Sequence, residues 1–122
     1  MSESHDDENI FVVFTDSAED ADEAFNRWYE EHHIEEILGV DGFVWAQRYK
    51  LHADQRPGMA PPAWRYLALY GLEGVVADIH PALKAASAGF VHTDALRKDT
   101  GAWVFEPIGP RVKAHRNEGE RA

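Results

Sequence analysis

Residues 25–38 read FNRWYEEHHIEEIL, and this stretch decides how the rest of the chain is interpreted. Helical periodicity of about 100° per residue gathers the apolar side chains on one arc. That arc carries Ala21, Phe25, Trp28 and Tyr29. His32 and Glu36 project into the same arc, and His33 lies on its edge. Because ionisable groups on a buried face are costly unless they find partners or line a cavity, we expect this helix to form one wall of a site.

The composition limits the classes of function. The 122 residues fit one domain, and the absence of cysteine excludes disulfides and thiolate metal sites. A net charge of −10, from 22 acidic and 12 basic residues, argues against a nucleic-acid partner. The sequence has no apolar run long enough to span a membrane, and its first nine residues, MSESHDDEN, have no apolar core of a secretory signal. We therefore expect a cytoplasmic protein with no membrane partner.

Three segments are predicted along the chain. Residues 1–8 are an acidic arm that we expect to be disordered, residues 9–112 form the single folded domain, and residues 113–122 are a tail with little to bury. Within the domain, strands are predicted at 9–15, 42–52, 64–72 and 101–112, and helices from Glu19 to about residue 38 and at 75–88.

Turn and cap residues separate these elements. Asp16 or Ser17 is expected to cap the first helix, and the GVDG sequence at 39–42 to end it. Pro81 is expected to kink or start the second helix. The order strand, helix, strand, strand, helix, strand predicts an α+β, ferredoxin-like βαββαβ fold, with four antiparallel strands and both helices on one face.

Both faces of the predicted sheet are apolar. In the first strand Phe11 and Val13 alternate with Ile10, Val12 and Phe14, and the third and fourth strands follow the same pattern. Two helices cover only one face, and an exposed patch of this size is rare in monomers. We therefore expect a homodimer in which a second copy, related by a two-fold axis, packs on the other face. The alternative is a monomer in which the aromatic strands line one large pocket.

The segment FNRWYEEHHIEEILGVDGFVWAQRYKL is similar to the pattern F-x-x-W-Y-x-x-x-H-x-x-x-hydrophobic, P-G-F, A-x-R-Y of the dimeric α/β-barrel superfamily, with its EthD-like and neighbouring uncharacterised branches. RYLALYGLEG (65–74) and WVFEPIGPR (103–111) continue the resemblance, which covers about residues 9–112. It implies a ferredoxin-like subunit that pairs sheet to sheet as a dimeric α/β barrel, with a ligand pocket between sheet and helices. Members include cofactor-free monooxygenases, lactone isomerases, polyketide cyclases and haem-degrading enzymes, so the fold does not fix the chemistry.

The resemblance also ranks the two histidines. Aligned on Trp28 and Tyr29, the family histidine corresponds to His33, whereas helical geometry alone places His32 nearer the centre of the buried arc. This chain has Glu35 where many relatives have a proline that ends the helix, and Asp41 replaces the proline of P-G-F. The sequence leaves open which histidine faces the pocket.

Three residues are the predicted catalytic group. His33 is the candidate general acid or base, because imidazole changes charge near neutral pH. Tyr29 is a candidate hydrogen-bond donor to a developing oxyanion, and Arg48 a candidate to pair with an anionic group. Each has a structural alternative: a buried histidine bonded to a neighbour, helix–sheet packing, and a salt bridge to Glu36 or across the dimer.

A second group is predicted to contact the substrate; its members are Trp28, His32, Trp45, Tyr66, Tyr70 and His92. Core packing is the alternative for the aromatic residues, and His92, with Asp94, belongs to a possible lid at 89–100. No metal site is expected, because HHIEE is not a zinc signature and no second ligand cluster accompanies it. No cofactor is expected either.

Two functions remain. The first is a small cofactor-independent enzyme acting by proton transfer, of lyase, isomerase, cyclase or monooxygenase type. Its substrate is a small hydrophobic molecule, aromatic or polyketide-like, with Tyr29 and Arg48 steadying the negative charge of an enolate or phenolate. The second is a non-catalytic protein that binds such a molecule in the same cleft. Convergence of His33, Tyr29 and Arg48 on one cavity favours the enzyme.

Overall fold

The computed structural model describes residues 8–116. The predicted disorder of residues 1–7 and the last six residues of the predicted tail lie outside the described part. In chain order the elements are β1 (Ile10–Thr15), α1 (Asp22–Trp28), a π-helical turn (Tyr29–His33), α2 (Ile34–Leu38), β2 (Phe43–Lys50), β3 (Tyr66–Leu72), α3 (Val76–Ser87) and β4 (Gly101–Phe105).

The four strands form one antiparallel sheet in the order β2-β3-β1-β4. β3 lies between β1 and β2, and β1 lies between β3 and β4, so each helical connection spans an intervening strand. This arrangement is consistent with the split βαβ units of a ferredoxin-like fold. The predicted fold class, a four-stranded antiparallel sheet with two helices, is confirmed.

One face of the sheet packs against the helices and holds the core. Phe11 pairs across the strands with Tyr70, and Val13 with Ala68. Phe25 and Tyr29, from the first helix, are almost completely buried against this face. The period-two alternation in β1 and β3 therefore correctly assigned side chains to the two faces.

No helix of the described residues packs on the opposite face. Register places twelve residues there: Ile10, Val12, Phe14, Trp45, Gln47, Tyr49, Leu67, Leu69, Gly71, Gly101, Trp103 and Phe105. None of these is charged, although 28% of the whole sequence is. Tyr49, Trp103 and Phe105 are each about half exposed (48%, 51% and 52%). We call these twelve residues the outer face.

A bulge in β2 changes the position of one aromatic residue. The register between β2 and β3 shifts between Phe43 and Trp45, which places Trp45 opposite Gly71 on the outer face. The Trp45 indole covers Gly71 so closely that a β-carbon at that position would overlap the ring. Glycine is therefore required near the end of β3, where a neighbouring side chain crosses the backbone.

Several boundaries differ from the sequence predictions. The first helix begins at Asp22 rather than near Glu19, and no side chain caps it; Asp16 instead binds Arg65. α3 begins at Val76, so Pro81 lies inside the helix and does not start it. β4 ends at Phe105, five residues into its predicted twelve. Among residues 8–116, none of the helices is both long and apolar enough to cross a membrane.

Candidate functional site

A cavity of about 240 Å³ lies between the sheet and the helices. Its walls come from β1, β3 and β4 below, and from the first helix, α3 and the segment after α3 above. The lining residues are Phe11, Val13, Tyr29, His33, Ile37, Tyr70, Leu83, Ser87, Phe90 and Ala102. The surface of the cavity is almost entirely apolar, although His33, Tyr29, Tyr70 and Ser87 contribute to its wall.

The π-helical turn determines which histidine reaches this cavity. In a π turn each backbone bond spans five residues, so residue i+5 takes the place above residue i that i+4 has in an α-helix. The rings of Trp28 and His33, five residues apart, are stacked with their centroids 4.5 Å apart. His33 therefore lines the cavity, whereas His32 is exposed. The chain continues into α2 through Glu35, so the turn that carries His33 is helical.

His33 lies in a dry aromatic environment beside one carboxylate. Its side chain is 21% exposed, and its ring contacts the edge of Phe90 and Tyr29 as well as the face of Trp28. Burial lowers the pKa of His33 below its ordinary value of 6.5, and the nearby Glu36 carboxylate offsets this only in part. The imidazole is therefore neutral at pH 7, which is the form that accepts a proton.

Two tyrosines complete the polar part of the cavity wall. Tyr29 and Tyr70 are both about 1% exposed. Burial raises the pKa of each phenol, and for Tyr70 the nearby Tyr29 raises it further. Both hydroxyls are therefore protonated at all physiological pH values and can serve as hydrogen-bond donors.

Within residues 8–116, three buried side-chain atoms have no hydrogen-bond partner: His33 Nδ1, Glu36 Oε1 and Tyr70 Oη. Two of the three residues line the cavity, and Glu36 lies directly beside His33. His33 Nδ1 and Glu36 Oε1 face each other at 3.7 Å, which leaves the Tyr70 hydroxyl, on a residue of the cavity wall, as the polar group available to a bound molecule.

Arg48 does not line the cavity. Its guanidinium carbon lies 4.2 Å from the centroid of the Tyr29 ring. Its Nη2 donates to Asn26 Oδ1 at 2.7 Å, and its Nη1 is 3.5 Å from Glu30 Oε2. The expected carboxylate partner is present, but it is Glu30 and not Glu36. Arg48 therefore contacts the ring of Tyr29, a residue of the cavity wall, rather than the cavity itself.

The remaining predicted contact residues are placed as follows. Trp28 is buried under His33 and donates Nε1–H to the Val91 carbonyl at 2.8 Å. Tyr66 is buried outside the cavity, near Asn26. Trp45, predicted to join Tyr66 and Tyr70 in one wall, lies on the outer face because of the β2 bulge. His92 and His32 are both exposed and do not line the cavity.

Sequence reasoning missed the contribution of Phe90 and Val91. Phe90 lines the cavity, and the backbone N–H of Val91 donates to Glu36 Oε2 at 2.7 Å. A possible lid was predicted at 89–100, but on the strength of its polar residues His92 and Asp94. The GFV sequence at 89–91 was the available signal, since an apolar pair in an irregular segment is expected to pack on something.

A second depression lies at the opposite end of the first helix. It is lined by Ser17, Asp22 and Arg65, among other polar and acidic residues. Arg65 donates to Asp16, Asp22 and Ser17, and Ser17 donates to Asp22. We call Asp16, Ser17, Asp22 and Arg65 the ionic cluster. Since its members satisfy one another, it has the character of a structural network.

Nothing among residues 8–116 groups three or more histidine or acidic side chains in a way that could hold a metal ion. Comparison with protein-family models found no match, and no curated protein is significantly similar to the chain. The function therefore has to be argued from the cavity itself.

Proposed function

We propose that this protein is a small cofactor-independent enzyme in which His33 moves a proton on a hydrophobic compound held in the cavity. The observation that carries the proposal is that a neutral imidazole, His33, and a buried tyrosine, Tyr70, both line one otherwise apolar cavity. A ligand that fills the apolar space and offers one polar group would satisfy Tyr70. The proposed substrate class is therefore a small aromatic or polyketide-like compound that has a carbonyl oxygen within reach of Tyr70.

The proposed step is abstraction of a proton from carbon next to a carbonyl. Neutral His33 accepts the proton, the C–H electron pair moves into the new C=C bond, and the carbonyl oxygen takes the negative charge. The Tyr70 hydroxyl donates a hydrogen bond to that oxygen. Arg48, stacked on Tyr29, contributes a positive charge that favours the enolate. Return of the proton to another position completes an isomerisation or prepares a cyclisation.

The size of the cavity supports a ligand with one ring. An engineered protein cavity of about 150 Å³ accommodates benzene. A volume of about 240 Å³ leaves room for one aromatic ring with a short substituent. Acetophenone, which has one ring, one carbonyl and exchangeable methyl protons, is therefore a suitable probe.

Solvent deuterium exchange tests the proposed chemistry without knowledge of the natural substrate. In D₂O the protein is expected to speed the loss of the methyl proton signal of acetophenone in ¹H NMR spectra. His33→Gln should slow this exchange by at least about 100-fold, the usual contribution of a general base. The matched control is His32→Gln, the exposed neighbour. Equal exchange rates in the wild type and the His33 variant would exclude His33 as the base.

The placement of Arg48 favours a second candidate function. Because none of the described residues that line the cavity is an arginine or lysine, charge development there is supported only at a distance. A protein that only binds a small apolar compound needs no such support. Binding of acetophenone with no deuterium exchange, and weaker binding to the His33 variant, would favour this alternative.

The proposal includes membership of the dimeric α/β-barrel superfamily and a homodimer formed through the outer face. Three observations support the dimer: no helix of residues 8–116 covers this face, three of its aromatic side chains are half exposed, and none of its twelve residues is charged. The Glu8 carboxylate adjoins it, because Oε1 accepts a hydrogen bond from Trp45 Nε1 at 2.7 Å. A two-fold axis pairs such a surface with itself, so no further surface is needed. The family resemblance carries the remaining support.

Sedimentation velocity tests the dimer. The wild type is expected to sediment as twice the 13.8 kDa chain mass at micromolar concentration. Trp103→Glu should shift it to the monomer, because it would bury a charge at the interface. Val112→Glu is the control, since Val112 is an exposed apolar residue away from the sheet. A wild-type monomer at these concentrations would overturn the dimer and remove the main support for the family assignment.

A further inference from the structure

Glu36 is a partly buried carboxylate that faces two different elements. Its side chain is 19% exposed, and its Oε2 accepts the backbone N–H of Val91 at 2.7 Å. Its other oxygen, Oε1, is buried without a partner and lies 3.7 Å from His33 Nδ1, which is also buried without a partner. Two unpaired atoms that face each other slightly beyond hydrogen-bond distance need only a small shift to pair.

The hydrogen bond to Val91 fixes the position of Glu36. The Val91 carbonyl accepts a hydrogen bond from Trp28, so both backbone polar groups of this residue bind the first helix. Phe90, the preceding residue, contacts the His33 ring and lines the cavity. The carboxylate that faces His33 is therefore held by the same segment that closes the cavity.

We propose that Glu36 is the positioning residue of His33: its carboxylate accepts the Nδ1 proton, fixes the tautomer, and leaves Nε2 as the nitrogen that takes the substrate proton. This inference rests on the proposed role of His33 as the base. A carboxylate behind an imidazole orients the ring and stabilises the cation that forms when Nε2 is protonated. Glu36 acts through His33 and does not contact the substrate.

Other charged and titratable groups face His33 from the surrounding elements. Arg48 of β2 disfavours protonation of the imidazole and so opposes Glu36. Tyr29 on the π-helical turn and Tyr70 on β3 stay neutral, because burial raises the pKa of each. Glu36 is thus the nearby group that favours the imidazolium form.

The variant Glu36→Gln distinguishes the effect of the Glu36 charge from the effect of its hydrogen bond to Val91. Glu36→Gln keeps a side-chain oxygen that can accept the hydrogen bond from Val91 N–H. It removes the negative charge that lies beside His33. The matched control is Glu35→Gln, which removes a charge from the exposed neighbouring residue. The measurement is a pH titration of His33 by long-range ¹H–¹⁵N NMR, which reports the midpoint and the protonated nitrogen of the neutral ring. It needs no substrate.

In the wild type, the neutral ring is expected to carry its proton on Nδ1. Glu36→Gln should lower the titration midpoint of His33 by roughly one pH unit, as expected on loss of an opposite charge about 4 Å away. Glu35→Gln should leave it unchanged, and Glu36→Asp should restore part of the shift.

Two outcomes would overturn the inference. A proton on Nε2 in the neutral wild type contradicts it directly and depends on no variant folding. An unchanged His33 midpoint in folded Glu36→Gln contradicts it as well. Neither result bears on whether His33 turns over a substrate, so this inference and the proposed enzyme fail separately. If wild-type acetophenone exchange is absent while the Nδ1 proton and midpoint shift are found, the enzyme fails and the His33–Glu36 pairing stands.

Discussion

Polar side chains near the two ends of the first helix differ in whether they are hydrogen-bonded. At its start, in the ionic cluster, the Asp16 carboxylate accepts Arg65 Nε at 2.9 Å and the backbone N–H groups of Ser17 and Arg65 at 2.8 and 3.0 Å. At its end, beside the cavity, His33, Glu36 and Tyr70 each keep a buried polar atom unpaired. The polar groups at the start of the helix hydrogen-bond to one another, whereas those beside the cavity include buried atoms without a hydrogen-bond partner.

The pKa shifts in the two regions also differ. Although burial opposes ionisation of Asp16, the hydrogen bonds from Arg65 and the backbone lower its pKa, which means that the folded state stabilises the charge. At the cavity, burial lowers the pKa of His33 and raises that of Tyr70, which means that the folded state keeps both groups neutral. Groups that a fold leaves unpaired and poised in this way are typical of sites that act on another molecule.

The largest expected effect is on the structural end. Asp16→Ala should lower the free energy of unfolding by about 3 kcal/mol, because it leaves two backbone N–H groups and Arg65 without their buried acceptor. Urea denaturation measures this as a lower midpoint with an unchanged slope. Asp54→Ala, at an exposed loop position, is the control and should change stability by less than about 0.5 kcal/mol.

Removing the hydroxyl from each of two tyrosines on the same face of β3 compares the stability contributions of the two regions. Tyr66→Phe should lower the free energy of unfolding by about 1 kcal/mol, since the Tyr66 hydroxyl lies within hydrogen-bonding distance of Asn26 and Asp22. Tyr70→Phe should lower the free energy of unfolding by less than Tyr66→Phe, because the group beside the Tyr70 hydroxyl is the neutral Tyr29 hydroxyl. Urea denaturation of both variants measures the difference. A larger loss for Tyr70→Phe than for Tyr66→Phe would mean that the cavity hydroxyl serves the fold.

The smallest expected effect is on the pH dependence of stability. The pKa of His33 is lowered by burial, so below its unfolded value of 6.5 the unfolded chain binds a proton that the folded protein does not. The contribution of neutral His33 is therefore fully present above pH 6.5 and is lost as the pH falls through the folded pKa. His33→Gln should flatten the decline in stability in this window, measured by urea midpoints. His32→Gln should retain the wild-type slope.

Most of the fold was predictable because it depends on local patterns. Alternation in β1 and β3 assigned each side chain to the correct face, and the element order gave the sheet and its two helices. The predicted start of the first helix was wrong. Asp16 and Ser17 bind Arg65, which is 48 residues or more away in sequence, instead of capping the helix. No local pattern reveals that competition.

The site was less predictable, for a different physical reason. Ideal α-helical spacing favours His32, and only the extra residue of the π-helical turn brings His33 above Trp28. One extra residue in β2 likewise moves Trp45 to the outer face. The open choice between the histidines and the wrong placement of Trp45 both come from single-residue departures from regular geometry, which the periodicity of the sequence does not show. The family resemblance pointed to His33, and the structure places His33, not His32, on the cavity.

The most direct test of the central claim is a titration of the isotopically labelled protein with acetophenone, followed by NMR of its aromatic side chains. The account predicts saturable shifts at His33, Tyr70 and Phe90, which line the cavity, with weaker binding in Tyr70→Phe and no shifts around Arg65. Signals that stay unchanged at His33 and Tyr70 up to millimolar acetophenone, or that move only near the ionic cluster, would contradict it.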